Sequence, residues 1–335
     1  MPTIRDVARL AGVAPITVSR VINNAGYVSE NTRRRVTLAV SKLGYVPNTL
    51  ARSLRSRQTR MLALVLTDIT NPFWTTVARG VEDVANAAGF NVILCNTDES
   101  EAKQDKYVHA ILQRRVDGVL LVPVRNNAEP VRFIQRQKVP LVILDRRLSG
   151  VTADVVRGDS ETGSYRLVQL LLSLGHERIA MLSGPRDVST AEERVIGYRR
   201  ALEEAGVRFD PALVLYGEFS LRSGAEMAQQ VLAMTSRPTA LFAGNNFIAI
   251  GSLKTVREAG LRVPEDMAMV AIDDLPASLI IDPFLSVAAQ PAYEMGQRAT
   301  ELLLARLAGQ APEQAQEIVL PTEVIVRRSS GDPRK

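Results

Sequence analysis

Thr3–Asn23 reads TIRDVARLAGVAPITVSRVIN. The stretch divides into two short helices about a tight turn. Thr3 stands where an N-cap belongs, with Asp6 three positions on, the spacing of a capping box with Asp in place of Glu or Gln. Val7, Leu10 and Ala11 place apolar groups on one face of the first helix. Gly12 closes it, because glycine tolerates positive φ. Pro15 suits the first turn of the second helix, where its missing N–H is no loss. Val18, Val21 and Ile22 give that helix a buried side, and Thr17, Ser19, Arg20 and Asn23 remain for its exposed side. Two helices so joined form a helix-turn-helix, whose second member enters the major groove of DNA. Many small bundles share this outline, so the charge around it has to decide.

Residues 1–60 hold 11 Lys and Arg against 2 acidic residues. The whole chain holds 41 against 36, which leaves 30 against 34 for residues 61–335. Basicity is thus confined to the N-terminal end. A basic module beside a mildly acidic body points to a polyanion partner for the module alone. A merely solvated surface would not explain why the imbalance stops near Arg60.

Ser29 opens a third helix, with Val36, Leu38, Ala39, Val40 and Leu43 available to cover the first two. Arg33, Arg34 and Arg35 could meet phosphates, although at least one is expected simply to be solvated. Gly44 ends the helix, and Tyr45 can lay its ring on the small core. The following TLARSLRSR could form about two helical turns, with Leu50 and Leu54 on one face. So short a helix is marginal alone. A basic linker fits its composition equally well.

Thr3–Asn23, YVSENTRRRV, LGYVPN and ARSLRSRQT together resemble the headpiece and hinge of the LacI/GalR family of bacterial transcription regulators, and the resemblance extends over most of the chain. It implies a second headpiece helix that reads the major groove. It also implies a hinge that becomes helical and pairs with its partner on the operator. Pro15 and Ile16 fall in the variable base-reading pair, while Thr3, Thr17, Ser19, Arg20 and Asn23 fall in the recurring framework and phosphate-contact positions. Asn48, Arg52 and Arg55 fall in the hinge, and Leu54 at the wedge that enters the central minor-groove step. Ala14 departs from the usual capping serine. Pro15 and Ile16 carry no side-chain donors or acceptors, so they suit apolar contacts such as a thymine methyl.

From Met61 onward, apolar runs alternate with helical stretches: MLALVL, FNVILC, GVLLV and VPLVILD, then RIAMLSG, TALFAG and MAMVAI. Near-continuous apolar strands with intervening helices indicate parallel sheets covered on both faces. The alternation runs twice. The fold class expected is therefore α/β: an all-α helix-turn-helix headpiece, then a body which, by the resemblance, is two-lobed and like a periplasmic binding protein. The headpiece is expected at 1–46 and the hinge and linker at 47–60. The first lobe is expected at 61–159 with about 288–312, and the second at 160–287 with about 313–328. The tail, 329–335, is expected to be disordered.

Ligands of open α/β sheets bind beyond the carboxyl ends of the strands. Polar and aromatic clusters stand at such ends: Asp68 to Trp74 after the first strand, Asp145-Arg146 after VILD, Asn245-Asn246 after LFAG, and Asp273-Asp274 after MVAI. Phe73 and Trp74, the latter the sole tryptophan, could stack on a flat or sugar-like ligand. The resemblance implies an effector cleft at Phe73, Trp74, Asp145, Arg146, Thr190, Arg194, Asn245 and Asp273. It makes Asp273 and Arg194 the leading candidates for binding hydroxyl or carboxylate groups. Asn246 stands where aspartate is frequent, and Ala288 and Ala289 leave PFLSVAAQP less polar than usual, so the cleft is expected to prefer something other than the common sugars, and the effector expected is sugar-like or another small polar metabolite.

No GxGxxG or Walker loop occurs. One cysteine and two separated histidines, His109 and His176, give little to a metal cluster, and no nucleophile elbow is present. Neither catalytic residues, a metal nor a cofactor is expected. Cys95, in an apolar run, is expected to be a buried thiol. No segment reads as a signal peptide or membrane span, so a cytoplasmic chain is expected. The expectation is an effector-controlled repressor, acting as a homodimer on a pseudo-palindromic DNA operator. A solute-binding receptor and a sugar-processing enzyme are the alternatives.

Overall fold

The computed structural model describes residues 2–46, 58–276 and 282–331. The hinge candidates Asn48, Arg52, Leu54 and Arg55 lie outside the described residues. The chain divides into two compact units, Met1–Thr59 and Arg60–Lys335.

In the first unit, α1 spans Ile4–Ala11, α2 Pro15–Ile22 and α3 Glu30–Leu43. The capping box is reciprocal: Thr3 N donates to Asp6 Oδ2 at 2.9 Å, and Asp6 N donates to Thr3 Oγ1 at 3.4 Å. Gly12 (φ 61) and Gly44 (φ 58) end α1 and α3 in the left-handed region. Val7, Ala8, Ala11, Val18, Val21, Val36 and Ala39 form the buried core, with Tyr45 packed against it. Leu10 (46% exposed) and Leu38 (63%) are not in it, contrary to the periodicity. Three short helices close around small residues, and their outer apolar positions find nothing left to cover them. Arg35, although exposed, has a structural role. Its Nη2 donates to Ala11 O at 2.6 Å and Gly12 O at 2.8 Å, and its Nε donates to Ala11 O at 3.0 Å, satisfying carbonyls at the α1 terminus.

The second unit holds two six-stranded sheets. The first half of the chain supplies β1 (Met61–Leu66), α4 (Pro72–Ala87), β2 (Asn91–Asn96), α5 (Glu101–Gln113), β3 (Gly118–Leu121), α6 (Glu129–Arg136), β4 (Leu141–Leu144) and β5 (Asp154–Gly158). Next come α7 (Ser160–Ser173), β6 (Ile179–Ser183), α8 (Ser189–Glu204), β7 (Val214–Tyr216), α9 (Leu221–Leu232), β8 (Ala240–Ala243), α10 (Asn246–Glu258) and β9 (Ala268–Ile272). The chain ends with β10 (Ser286–Ala289), α11 (Ala292–Leu307), β11 (Glu317–Leu320) and β12 (Glu323–Ile325). Sheet order is β11-β5-β4-β3-β1-β2 in the first lobe and β12-β10-β9-β8-β6-β7 in the second, the same winding used twice. Neighbours are parallel except β10 and β12. Leu62 to Leu66 are fully buried, as a strand covered on both faces requires. Helices α4 and α11 meet backbone to backbone: a Cβ on Gly80 would lie 2.2 Å from Tyr293 O, and one on Gly296 2.1 Å from Val77 O.

Two boundaries differ from expectation. Ala288 and Ala289 belong to the second sheet, through β10, and the chain crosses back only at Gln290 and Pro291. Residues 317–320, expected in the second lobe, form β11 and pair in parallel with β5 in the first. Helix α11 packs into the first-lobe core and delivers the chain to β11, so the chain stays on the first lobe until β12. Residues 329–331 are also ordered, contrary to expectation, and 332–335 lie outside the described residues. Ser329 and Ser330 are fully buried. Ser329 Oγ donates to Met269 O at 2.6 Å and accepts from Ser286 N at 2.8 Å, and the hydroxyls of Ser286 and Ser330 meet at 2.8 Å. Seryl groups that read as a solvated end are a hydrogen-bonded clasp on the edge of the second lobe.

Candidate functional site

In the headpiece, α2 starts without a side-chain cap, since Ala14 has no oxygen to offer, and Pro15 occupies its first turn. Pro15, Ile16 and Arg20 are exposed, whereas Thr17 and Ser19 are half-buried. Asn23 donates from Nδ2 to Ser19 O at 2.8 Å and to Ser19 Oγ at 3.2 Å, which orients both groups on the last turn. Thr3 is engaged in the cap of α1, its hydroxyl donating to Asp6 at 2.7 Å. The face that leads into solvent is apolar at its N-terminal end and cationic one turn on.

In the body, a cavity of about 470 Å³ lies where the carboxyl ends of the two sheets meet. All eight expected cleft residues line it: Phe73, Trp74, Asp145 and Arg146 from the first lobe, and Thr190, Arg194, Asn245 and Asp273 from the second. Asn71 caps α4 through its Oδ1, which accepts from Phe73 N at 3.0 Å. That cap sets the aromatic pair at the rim, with the Phe73 and Trp74 rings edge to face, 4.8 Å apart.

Asp145 and Asp273 are counterparts. Each is the first residue after a central strand, β4 or β9, and each sits at positive φ (63° and 70°), which Asp tolerates better than most residues. Each donates its N–H to the neighbouring strand, Asp145 to Val156 O at 2.8 Å and Asp273 to Ala288 O at 3.0 Å. Both carboxyls are buried. Burial pushes Asp273 up to about 6, against the pull of the Arg194 guanidinium and a 2.7 Å hydrogen bond from Gln290. Burial also raises Asp145, against Arg194 and Arg146. Asp145 Oδ1 has no hydrogen-bond partner among the described residues.

The arginines are unequally committed. Arg146 donates from Nη1 to Glu99 Oε2, Pro123 O and Val124 O at 2.8, 2.8 and 2.9 Å, and from Nη2 to Glu99 Oε1 at 2.5 Å. Arg125 forks onto Glu218 of the second lobe at 2.8 and 2.9 Å and reaches Asp187 at 3.2 Å. Arg194 spends Nη1 on Gly244 O at 2.7 Å, and its Nε is unpartnered among the described residues. The Phe219 ring lies between Arg146 and Arg194, with guanidinium carbons 5.6 and 5.7 Å from its centroid.

Asn71, within the cluster Asp68 to Trp74, also lines the wall, and sequence reasoning missed Asp98, Glu99, Arg125, Glu218, Phe219 and Gln290 there. Glu99 and Glu218-Phe219 also follow strands, so the same positional rule could have found them. Asn246 does not line the cavity and pairs with Asn71. Asp274 is held by Arg327 through two bonds of 2.7 and 2.6 Å. Cys95 is a buried thiol on β2. His109 lies against Phe133, and His176 Nδ1 meets Thr239 Oγ1 at 2.9 Å. Among the described residues no cluster could hold a metal ion, and no helix is long and apolar enough to cross a membrane.

Residues 3–48 match the family model described as bacterial regulatory proteins, lacI family, and residues 168–330 match the periplasmic binding protein-like domain. The HTH-type transcriptional repressor PurR of Photobacterium profundum is 35% identical over 333 residues, with 99% of each chain covered. The Lac repressor dimer bound to operator and the anti-inducer ONPF superposes with a TM-score of 0.85 at 28% identity, with 99% of each chain covered. The transcriptional regulator CelR–cellobiose complex gives 0.75 at 34% identity, covering 98% of this chain and 100% of that one.

Proposed function

The chain belongs to the lacI family of bacterial regulatory proteins, and from that premise we propose a cytoplasmic homodimeric repressor whose hold on a pseudo-palindromic operator is set by a neutral, hydroxyl-rich effector in the body cavity. It is a DNA-binding transcription regulator and not an enzyme. Pro15, Ile16, Thr17, Ser19, Arg20 and Asn23 are assigned to the operator, with Thr3 at the α1 cap. The exposed face of α2 and the local basicity support this assignment. Asn48, Arg52, Leu54 and Arg55 are assigned to the hinge by resemblance. Two-fold symmetry follows from two half-sites read by two headpieces.

The observation that carries the effector class is the charge left uncommitted in the cavity. Arg146 and Arg125 are each closed off by carboxylates. Arg194 faces both Asp145 and Asp273. An anionic ligand would therefore meet an excess of its own sign. A polyol donates hydroxyl protons to the two carboxylates, accepts from Arg194, and lays an apolar ring face on Phe73, Trp74 or Phe219.

Operator sequences are to be selected by the full chain from random duplex DNA. Anisotropy then measures affinity with and without a panel of neutral sugars and their acidic or phosphorylated counterparts. Selected half-sites related by a dyad, and a shift in affinity with a neutral sugar, are expected. Equal affinity for selected and scrambled DNA would sink the operator assignment. A response to anions alone would sink the ligand class.

A further inference from the structure

We propose that Asn71 and Asn246 form an uncharged latch that sets how firmly the two lobes close over the cavity. Asn71, on the first lobe, donates from Nδ2 to Asn246 Oδ1 at 3.0 Å. Asn246, the first residue of α10 on the second lobe, donates from Nδ2 back to Asn71 Oδ1 at 2.9 Å. Asn71 is 5% exposed and Asn246 0%.

The orientation of this pair is dictated locally. Asn71 Oδ1 already accepts from Phe73 N as the cap of α4. Its amide therefore cannot flip without leaving that donor unpaired. With its oxygen held toward α4, its NH₂ group must face the other lobe. Residue 246 must then present an acceptor and a donor side by side. Asparagine does both. A carboxylate at 246 would accept from Asn71 Nδ2 and set its second oxygen against Asn71 Oδ1.

The other side-chain links between the lobes include one uncharged bond, Arg147 N to Ser189 Oγ at 2.8 Å, and a set of ion pairs, of which Arg157–Glu193 is largely buried and the rest are partly wet. Arg125 reaches Glu218 and Asp187, whose side chains are 53% and 56% exposed. Arg147 and Arg157 both reach Glu193, with Arg147 49% exposed. The exposed pairs weaken with salt. The amide pair is buried and carries no charge, so it holds across salt and pH. Asn71 also lies three residues before Trp74, so parting the latch moves the start of α4 and the aromatic rim with it.

The link to control rests on reading the cavity as the effector cleft, but the test does not. Trp74 is the only tryptophan and is 5% exposed, so acrylamide quenching of the full chain, without DNA or any ligand, reports opening. Asn71→Asp keeps the helix cap and loses the donor. Asn246→Asp leaves α4 untouched. At pH 8 either substitution is expected to raise the open-to-closed ratio by about 10- to 100-fold, seen as increased quenching. The wild type stays protected in about 1 M salt, where the exposed ionic links are screened.

At pH 5 the buried carboxyl introduced by Asn246→Asp takes up a proton and can donate to Asn71 Oδ1, so quenching falls back toward wild type. Asp68, Asp145, Asp273, Arg146 and Arg194 line the adjoining cavity. They are common to both proteins, so the effect is the difference between the two pH profiles. Unchanged quenching in both variants at pH 8 overturns the latch. So does a rise in Asn246→Asp that persists at pH 5. Either result leaves the effector assignment standing, and a cavity that binds no sugar leaves this measurement standing.

Discussion

Asp273→Asn should make the protein more stable at pH 8 while blunting its response to effector. The Asp273 carboxyl is buried and titrates at about 6, against an ordinary 3.8. Between these values the folded chain holds a proton that the unfolded chain has lost, so stability falls as pH rises through that window and levels off above it. The gap corresponds to about 3 kcal/mol of destabilisation at pH 8, with the attraction of Arg194 already included. Asparagine keeps the shape, tolerates the φ of 70° and still accepts from Gln290, but has no charge to bury. Removing the charge also ends the repulsion by which Asp145 raises Asp273 from across the cavity.

Thermal unfolding at a series of pH values is the assay. The variant should melt higher at pH 8 by up to about 6–12 °C for a body of this size. The advantage should shrink to about 1 kcal/mol near pH 4.5, where wild-type Asp273 is itself protonated. A neutral sugar that raises the wild-type midpoint should do so much less for the variant, because one charged acceptor is gone. A variant that is less stable at pH 8, or whose advantage is the same at pH 4.5, would refute the account of an ionised carboxylate held in burial for the sake of a ligand.

Arg35→Ala removes three hydrogen bonds to Ala11 and Gly12 carbonyls and should cost the headpiece about 2–3 kcal/mol, read as lost amide protection in α1 and α2 with the body unchanged. Intact protection would contradict its structural role. Arg20→Ala should weaken operator binding; a phosphate contact shows as a salt slope reduced by about 0.9, and a base contact as altered operator preference. Unchanged affinity on every operator variant and at every salt concentration would exclude both. Ser329→Ala should lower the denaturant midpoint, by about 1–3 kcal/mol, because the buried Ser286 N–H loses its acceptor and Met269 O its donor. A neutral result would show that residues 329–331 do not clasp the second lobe.

Much of the body was legible because local and global signals agree there. MLALVL is apolar at every position since both faces of β1 are covered, and its bounds match the strand residue for residue. The polar residues that follow such runs necessarily sit at the carboxyl edge, so Asp145, Asn245 and Asp273 could be placed from order alone. Periodicity failed where the domain is too small to cover every apolar position, as at Leu10 and Leu38. It failed again at β11, whose partner β5 lies far back in the chain. Composition misled at Ser329 and Ser330, because a serine pays for burial only through partners that no window around it contains.

The cavity itself shows where sequence information ends. Winding one α/β unit twice delivers an aspartate to the same place on two sheets, and each can be read separately. Their shared Arg194, and the effect of Asp145 on the ionisation of Asp273, exist only once the lobes face each other. The amide pair is the same case, at a separation of 175 residues. Asn71 reads correctly as a helix cap, yet that cap is what fixes the orientation in which it meets Asn246. Local chemistry thus sets the terms of a contact whose partner only the fold can supply. Control by a ligand is built from such contacts, because closure of the cavity can depend only on groups that the two lobes bring to each other.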